Sequence, residues 1–266
     1  MQPQRLLLGL FFMLLLLRPH SGQALVFHTS NALASPSYLH EADHTYQPGL
    51  AHEQESPGSA TESGPGYTHE QEYLFQVFKT RRCVRDFRPT PIPDEHILKI
   101  LDIARTVPTS GNQQPWKFLV IQDRQKLDRL KEESMSFILG KMGQRKQLNA
   151  EDLEEKRESL RNVLDKYLSA PVYVVVLVDS DSQYPNYNRY DGSLAAGYLF
   201  IAARALGYGT VFCTDTFPFD VVERVFEVPD HYEVICSTPV GIPVDWPEPP
   251  PKKHLDELVV FEAFSE

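Results

Sequence analysis

Three arginines fall within five residues, at Arg81, Arg82 and Arg85, in a chain that is acidic overall. A guanidinium is planar, permanently charged, and offers paired N–H donors that match a phosphate or carboxylate bidentately. The cluster reads either as an anion-binding site or as a solvated basic patch paired with Asp86, Asp94 and Glu95. A second concentration of chemistry is Pro108-Thr109-Ser110-Gly111-Asn112-Gln113-Gln114-Pro115-Trp116. Hydroxyls and carboxamides both donate and accept, which suits the polar edge of a heteroaromatic ring and a polyol chain. The two prolines stiffen this segment toward a preformed site, although the same composition also makes an ordinary turn. A third cluster, Gly207-Tyr208-Gly209-Thr210-Val211-Phe212-Cys213-Thr214-Asp215, runs a glycine pair into an apolar stretch with a polar end. Strand ends of this kind often carry ligands. Lys252-Lys253, after the proline-rich Pro247–Pro251, is the fourth, either a further anion contact or plain surface.

Other chemistries are absent from the sequence. No Gly-x-Ser-x-Gly elbow, HExxH pair, GxGxxG or P-loop occurs, so hydrolase and common phosphate-loop readings have no support. The cysteines, Cys83, Cys213 and Cys236, form no CxxC pair. Cys213 has no histidine near it in sequence and reads as a small buried core thiol.

The elements that must position these clusters follow from periodicity. A helix is predicted over Tyr73–Arg81, with Leu74, Val77 and Phe78 at helical spacing. A second opens at Pro93-Asp94-Glu95, with Ile97, Leu98, Ile100, Leu101 and Ile103 as its buried stripe. Lys117–Gln122 is a short apolar strand, and residues 124–168 are two charged helices broken near Gly140–Asn149. Asn149-Ala150-Glu151-Asp152 has the form of a capped helix start. The β-branched run Val172–Val178 is a central strand buried on both faces. Gly192–Leu206 is a small-residue helix, Gly209–Cys213 a strand, Asp220–Phe226 a helix and Glu233–Val240 a last core strand. Helices and strands alternate irregularly, which predicts an α+β layer rather than a doubly wound nucleotide fold.

Outside this domain, which begins near Tyr73, lie an address and a tail. Leu6–Leu17 is an apolar run of signal-peptide length, shorter than the roughly 20 residues needed to span a bilayer. Gly22 and Ala24 are small residues suited to cleavage after Ala24. Residues 1–24 therefore read as a signal peptide, with an uncleaved signal anchor or a buried core helix as alternatives. Either of the first two readings places the protein in the secretory pathway, secreted or anchored to a membrane at its N-terminus. Residues 25–72 carry seven acids and no Lys or Arg, and read as a disordered acidic linker. Apart from His40/His44, its histidines (His28, His40, His44, His52, His69) lack ligand spacing, so they read as solvated side chains and no metal is expected. Residues 1–72 hold half of the net charge of −10. That acidity excludes a nucleic-acid partner, which needs a basic face.

Taken in order, the four clusters resemble the nitroreductase superfamily of FMN-dependent oxidoreductases. Arg81–Phe87 is similar to the family's Arg-Arg-Ser-x-Arg-x-Phe opening, with Cys83 in place of Ser. Val107–Trp116 is similar to Ala-Pro-Ser-x-x-Asn-x-Gln-Pro-Trp, with Val107 for Ala and Thr109 for Ser. Asp191–Gly209 resembles the small-residue helix ending in Leu-Gly-x-Gly, and Val240-Gly241-Ile242-Pro243 the strand end before a basic position. The resemblance implies a three-layer α-β-α sandwich with a mixed, mostly antiparallel sheet, in an intertwined homodimer whose sites use both chains. It also implies that Arg81, Arg82 and Arg85 hold the FMN phosphate and ribityl end, with Cys83 adding backbone contacts. Pro108, Thr109, Ser110 and Asn112 would line the ribityl chain and ring edge. Phe212, Cys213 and Thr214 would lie near N5, with Thr214 the neighbour of that atom, and Lys252 or Lys253 would reach the phosphate. No side chain acts as a catalytic acid or base in this reading. The chemistry takes place on FMN, with NADH or NADPH as donor and a small aromatic acceptor following in ping-pong order.

Within the superfamily, residues 131–168 resemble the iodotyrosine deiodinase branch, whose lid lies at Phe137–Gly143 and Leu164–Pro171. The Glu, Tyr and Lys with which that branch grips a zwitterion correspond here to Ser134, Ile138 and Asp165. Arg81–Asp86 also resembles the opening of the flavin-fragmenting enzyme that makes dimethylbenzimidazole, with Cys83 in place of its Asp. The expectation is an FMN-dependent NAD(P)H oxidoreductase acting on nitroaromatic, quinone or related flat acceptors. The alternatives are a reductive dehalogenase of halogenated phenols or tyrosines, and a non-catalytic flavin-binding protein.

Overall fold

The computed structural model describes residues 66–146 and 149–264. The predicted signal segment, most of the predicted linker, and His28, His40, His44 and His52 lie outside the described residues. The first helix, α1, spans His69–Thr80, starting four residues before Tyr73. It is followed by β1 (Phe87–Arg88), α2 (Asp94–Ala104), β2 (Trp116–Ile121), α3 (Arg124–Lys146) and α4 (Ala150–Leu168). Then come β3 (Val172–Asp179), α5 (Asn188–Ala205), α6 (Phe219–Val225), β4 (Tyr232–Val240) and β5 (Ile242–Pro243).

The sheet is built around β3, which pairs antiparallel with β2 on one side and β4 on the other. Side chains of a strand alternate between its faces, and here both faces are buried. Val172, Val174, Val176 and Val178 pack against Ile97, Ile100 and Ala104 of α2 and Ala196, Leu199, Phe200 and Ala203 of α5. Tyr173, Val175 and Leu177 face the opposite core, with Leu127 and Leu130 of α3, Leu160 and Leu164 of α4, and Val221 and Val222 of α6. The result is three layers with the sheet in the middle, as the family resemblance implied. Gly192 lets α5 lie close on the sheet, since a Cβ there would meet Val178 at 2.8 Å and Ile235 at 2.7 Å.

Some expectations need correction. Gly209–Cys213 does not form a regular strand. It is stitched into the sheet by single bridges, Gly209 to Gly241 and Cys213 to Ser237 antiparallel and Cys83 to Thr210 parallel. The break expected near Gly140–Asn149 does fall in that window, between the end of α3 at Lys146 and the start of α4 at Ala150, with α3 running through Gly140 and Gly143. A glycine costs about 1 kcal/mol in a helix, less than is gained by burying Ile138, Leu139 and Met142 around them. The next helix starts where expected, with the Asn149 side chain accepting from the Asp152 backbone N–H at 2.8 Å. The stripe on α2 is narrower than predicted. Ile97 and Ile100 are buried, whereas Leu98 is 66% exposed and Ile103 37%.

Candidate functional site

The arginine cluster begins where α1 ends. Its backbone is fixed by the parallel bridge of Cys83 to Thr210 and by Val84 N–H donating to the Thr210 carbonyl at 3.0 Å. The buried Val84 and Phe87 pack with Ala170 and Trp246. Arg204 braces the helix end, donating to Thr80 Oγ1 at 3.1 Å while stacking 4.2 Å above the Trp246 ring. The three guanidinium groups are not equivalent. Arg81 donates to Cys83 Sγ at 3.6 Å and Arg85 to the Cys83 carbonyl at 3.3 Å. Arg82 turns back to the carbonyls of Lys79 and Arg81, at 2.7 and 2.9 Å, and so caps α1.

Among the described residues no ion pair engages any of the three. Asp86, one of the carboxylates that could have neutralised them, is bound by Lys166 at 2.9 Å. Asp94, another, accepts from Gln122. Cys83 and Arg85 line an open cleft of about 270 Å³ together with Asp86, Lys166, Val244, Asp245 and Pro247. Behind it, burial pushes the Tyr167 phenol up to about 12, against which the facing Arg85 guanidinium and Thr216 act in the opposite direction.

The loop after α2 is held in a conformation that needs support. Gly111, Asn112 and Gln114 all lie in the left-handed region, at φ 59°, 54° and 48°. Such residues cost about 1 kcal/mol or more unless their surroundings fix them. The support is a buried polar network from α5. Asp191 accepts from Gln113 Nε2 at 2.8 Å and from the Ser110 backbone N–H at 3.3 Å. Gln113 Oε1 accepts from the Tyr184 N–H at 2.7 Å, and Asn188 donates to the Asp179 carbonyl at 2.7 Å. Asp191 sits in the first turn of α5, where the helix dipole favours a carboxylate. Thr109 Oγ1 accepts from the Gln114 N–H at 3.1 Å. Pro108 and Asn112 are exposed, and Thr109 and Ser110 half-buried.

In the third cluster, Phe212 is exposed and stands edge-on to Phe200, with ring centroids 5.9 Å apart. Thr214 is exposed, its hydroxyl donating to Asp215 at 2.9 Å. Cys213 points the other way into the core, where burial pushes its thiol up to about 12. A neutral, inaccessible thiol is a poor nucleophile, so it is the core cysteine that the sequence suggested. The structure thus brings together Arg81, Cys83 and Arg85. Within this chain it does not bring Lys252 and Lys253 to them, since both are exposed on the C-terminal segment with no side-chain hydrogen bond or ion pair among the described residues. Sequence reasoning missed Gln113, Asn188 and Asp191 as the supports of the loop, and Lys166 and Tyr167 as the surroundings of Arg85. Asp191 did leave a trace, as an acid among the small residues that open a helix.

The nitroreductase family model matches residues 78–242. The chain belongs to the nitroreductase family. It is similar to an iodotyrosine deiodinase of Thermotoga neapolitana, 32% identical over 191 residues that cover 70% of this chain and 96% of the relative. A Methanothermobacter thermautotrophicus protein, named provisionally as an NADH dehydrogenase/NAD(P)H nitroreductase, is 27% identical over 65% of this chain and 79% of its own length. Among solved structures, oxidized iodotyrosine deiodinase bound to FMN and 3-iodo-L-tyrosine matches with a TM-score of 0.56 and 26% identity. That match covers 72% of this chain and all of the solved one. As a nitroreductase-family protein, the chain is a flavoprotein oxidoreductase with the nitroreductase-like α+β fold.

Proposed function

We propose that the protein is an FMN-dependent NAD(P)H oxidoreductase that reduces flat aromatic acceptors such as nitroaromatics and quinones, working as a homodimer. The observation that carries this reading is the set of three guanidinium groups on one short segment, none of them ion-paired among the described residues. Charge left without a partner in this way fits a phosphate-bearing cofactor. Arg81 and Arg85, with the Cys83 backbone, would hold its anionic end. Arg82 would join them by exchanging its carbonyl contacts for the ligand. Pro108, Thr109, Ser110 and Asn112, on the loop that Asp191 fixes, would face the ribityl chain and ring edge. When bound, FMN supplies hydride acceptance and delivery. Phe212 and Thr214, with only the backbone of Cys213, would flank its reacting edge, with Thr214 turning its hydroxyl from Asp215 toward the ring.

Lys252 and Lys253 would complete the phosphate site of a second copy. The exposed apolar side chains Leu98, Tyr198, Leu258, Val260 and Phe261 support a partner surface of this kind. The predicted signal segment would send the protein into the secretory pathway, secreted or anchored, with the acidic linker as spacer.

The α3–α4 hairpin favours acceptors other than iodotyrosine. Ser134 is fully buried with no hydrogen-bond partner for its hydroxyl, Ile138 is buried, and Asp165 is paired with Lys131 at 2.9 Å. These three occupy the positions expected to grip a zwitterion, and none offers a free charge for an amino acid. The test is an anaerobic titration of the purified full chain. It should be yellow, release equimolar FMN, bleach with NADH or NADPH, and recover its colour with nitroaromatics or quinones. A colourless preparation that takes up no FMN would overturn the reading. Recovery with iodotyrosine alone would replace it by dehalogenation, and flavin that no donor reduces would leave a binding protein. Arg81→Ala with Arg82→Ala should lower flavin content at least tenfold, by about 1.4 kcal/mol or more of binding.

A further inference from the structure

The cleft beside Arg85 contains a carboxylate immediately adjacent in sequence, and the structure shows what restrains it. Asp86 carries its negative charge next to the one arginine of the cluster that lines the cleft. It is bound instead by Lys166, from the last turn of α4, at 2.9 Å. Both side chains are largely open to water, 42% exposed for Asp86 and 62% for Lys166. An ion pair so exposed contributes little to folding, so its effect lies in where it puts charge. The neighbouring Arg85 is left with neutral partners, the Cys83 carbonyl at 3.3 Å and the facing Tyr167 hydroxyl. Asp245, the second carboxylate on the cleft, makes no ion pair among the described residues.

We propose that Lys166 is a positioning residue, which holds Asp86 away from Arg85 and so keeps that guanidinium available to an anionic cofactor. The inference rests on the reading that the arginine cluster binds FMN. It assigns to α4, an element remote in sequence from the cluster, the charge balance of the cleft. Without the Lys166 ammonium, the lining of the cleft changes from two cations and two carboxylates to one cation and two carboxylates. Asp86 can then turn to Arg85 and compete with the ligand for its donors.

The experiment is titration of FMN into the full-length apoprotein, followed by flavin fluorescence, with the thermal midpoint measured in parallel. Lys166→Met should raise the Kd for FMN about fivefold at low salt and move the thermal midpoint by no more than about 2 °C. The penalty should shrink toward zero in molar salt, which screens exposed charges. Lys166→Arg should bind as the wild type does. The decisive variant is Lys166→Met combined with Asp86→Asn, which removes the competing carboxylate and should restore the Kd to within about twofold of wild type. A merely structural role for Lys166 predicts no such rescue. Unchanged affinity in Lys166→Met, or a double variant as weak as the single one, overturns the proposal. Failure of the wild-type chain to bind any FMN would instead overturn the flavin reading itself, and is seen before any variant is made.

Discussion

The loop Pro108–Trp116 and the α3–α4 hairpin are held by opposite kinds of force. The loop has little apolar surface to bury. Its shape depends on a buried carboxylate, Asp191, and on two carboxamides, Gln113 and Asn188, each satisfied by a specific partner. The hairpin is the reverse. Leu127, Leu130, Leu160 and Leu164 are fully buried along its seam. Its outer face carries ion pairs such as Lys131–Asp165 and Arg161–Glu132. Directional bonds fix one geometry, whereas apolar contact tolerates small sliding. The difference teaches that the side of the molecule proposed to hold the cofactor is preorganised, while the side proposed to meet the acceptor can adjust.

This contrast can be broken in a graded way. Leu164→Ala removes apolar contact from the middle of the hairpin and should cost about 3 kcal/mol in urea unfolding. A loss below about 1 kcal/mol would mean the seam does not hold the hairpin. Asp191→Ala leaves Gln113 Nε2 and the Ser110 N–H without their buried acceptor. It should cost about 2 kcal/mol, and bound flavin should fall with it; stability lost with flavin content intact would separate the loop from the site. Gly111→Ala should cost about 1 kcal/mol or more, because φ is +59° and the new Cβ would meet Tyr184 Cε2 at 2.4 Å. The same change at Gly140, inside α3 with open space around it, should be neutral or stabilising.

How much of this was legible depended on how local each cause was. The β3 run could be read because every one of its positions is apolar and both faces are buried. The cap at Asn149 was legible because donor and acceptor lie three residues apart. The Gln113–Asp191 bond joins residues 78 apart, and no pattern within either segment announces the other. The arginine cluster was visible as composition. That Arg82 caps a helix while Arg85 faces the cleft was not, because the split depends on Lys79, Lys166 and Tyr167. The Leu98 error has the same root, since periodicity gives a hydrophobic face but not its width.

Two weaker perturbations sharpen the comparison. Burial raises Cys213 from its ordinary value of 9.0 and Tyr167 from 10.0, each to about 12. Both are neutral in the fold, so their contribution is complete below about pH 9 and is lost as pH rises toward 12. The thermal midpoint should therefore fall between pH 9 and 11, and a flat profile there would contradict the burial of both groups. Smallest of all, Lys131→Met should cost less than about 1 kcal/mol, with the difference vanishing in high salt. A larger loss would show that the ion pairs of the hairpin, and not its apolar seam, set its position.

The central strand also bears on how the molecule can change over time. Each β3 residue from Val172 to Val178 is committed to one core or the other, so almost any replacement there disturbs a whole layer. The outward face of the hairpin carries no such commitment, and its charges can be exchanged at little cost. Substitution is therefore costly in the central strand and cheap on the outer face of the hairpin, the side proposed to meet the acceptor.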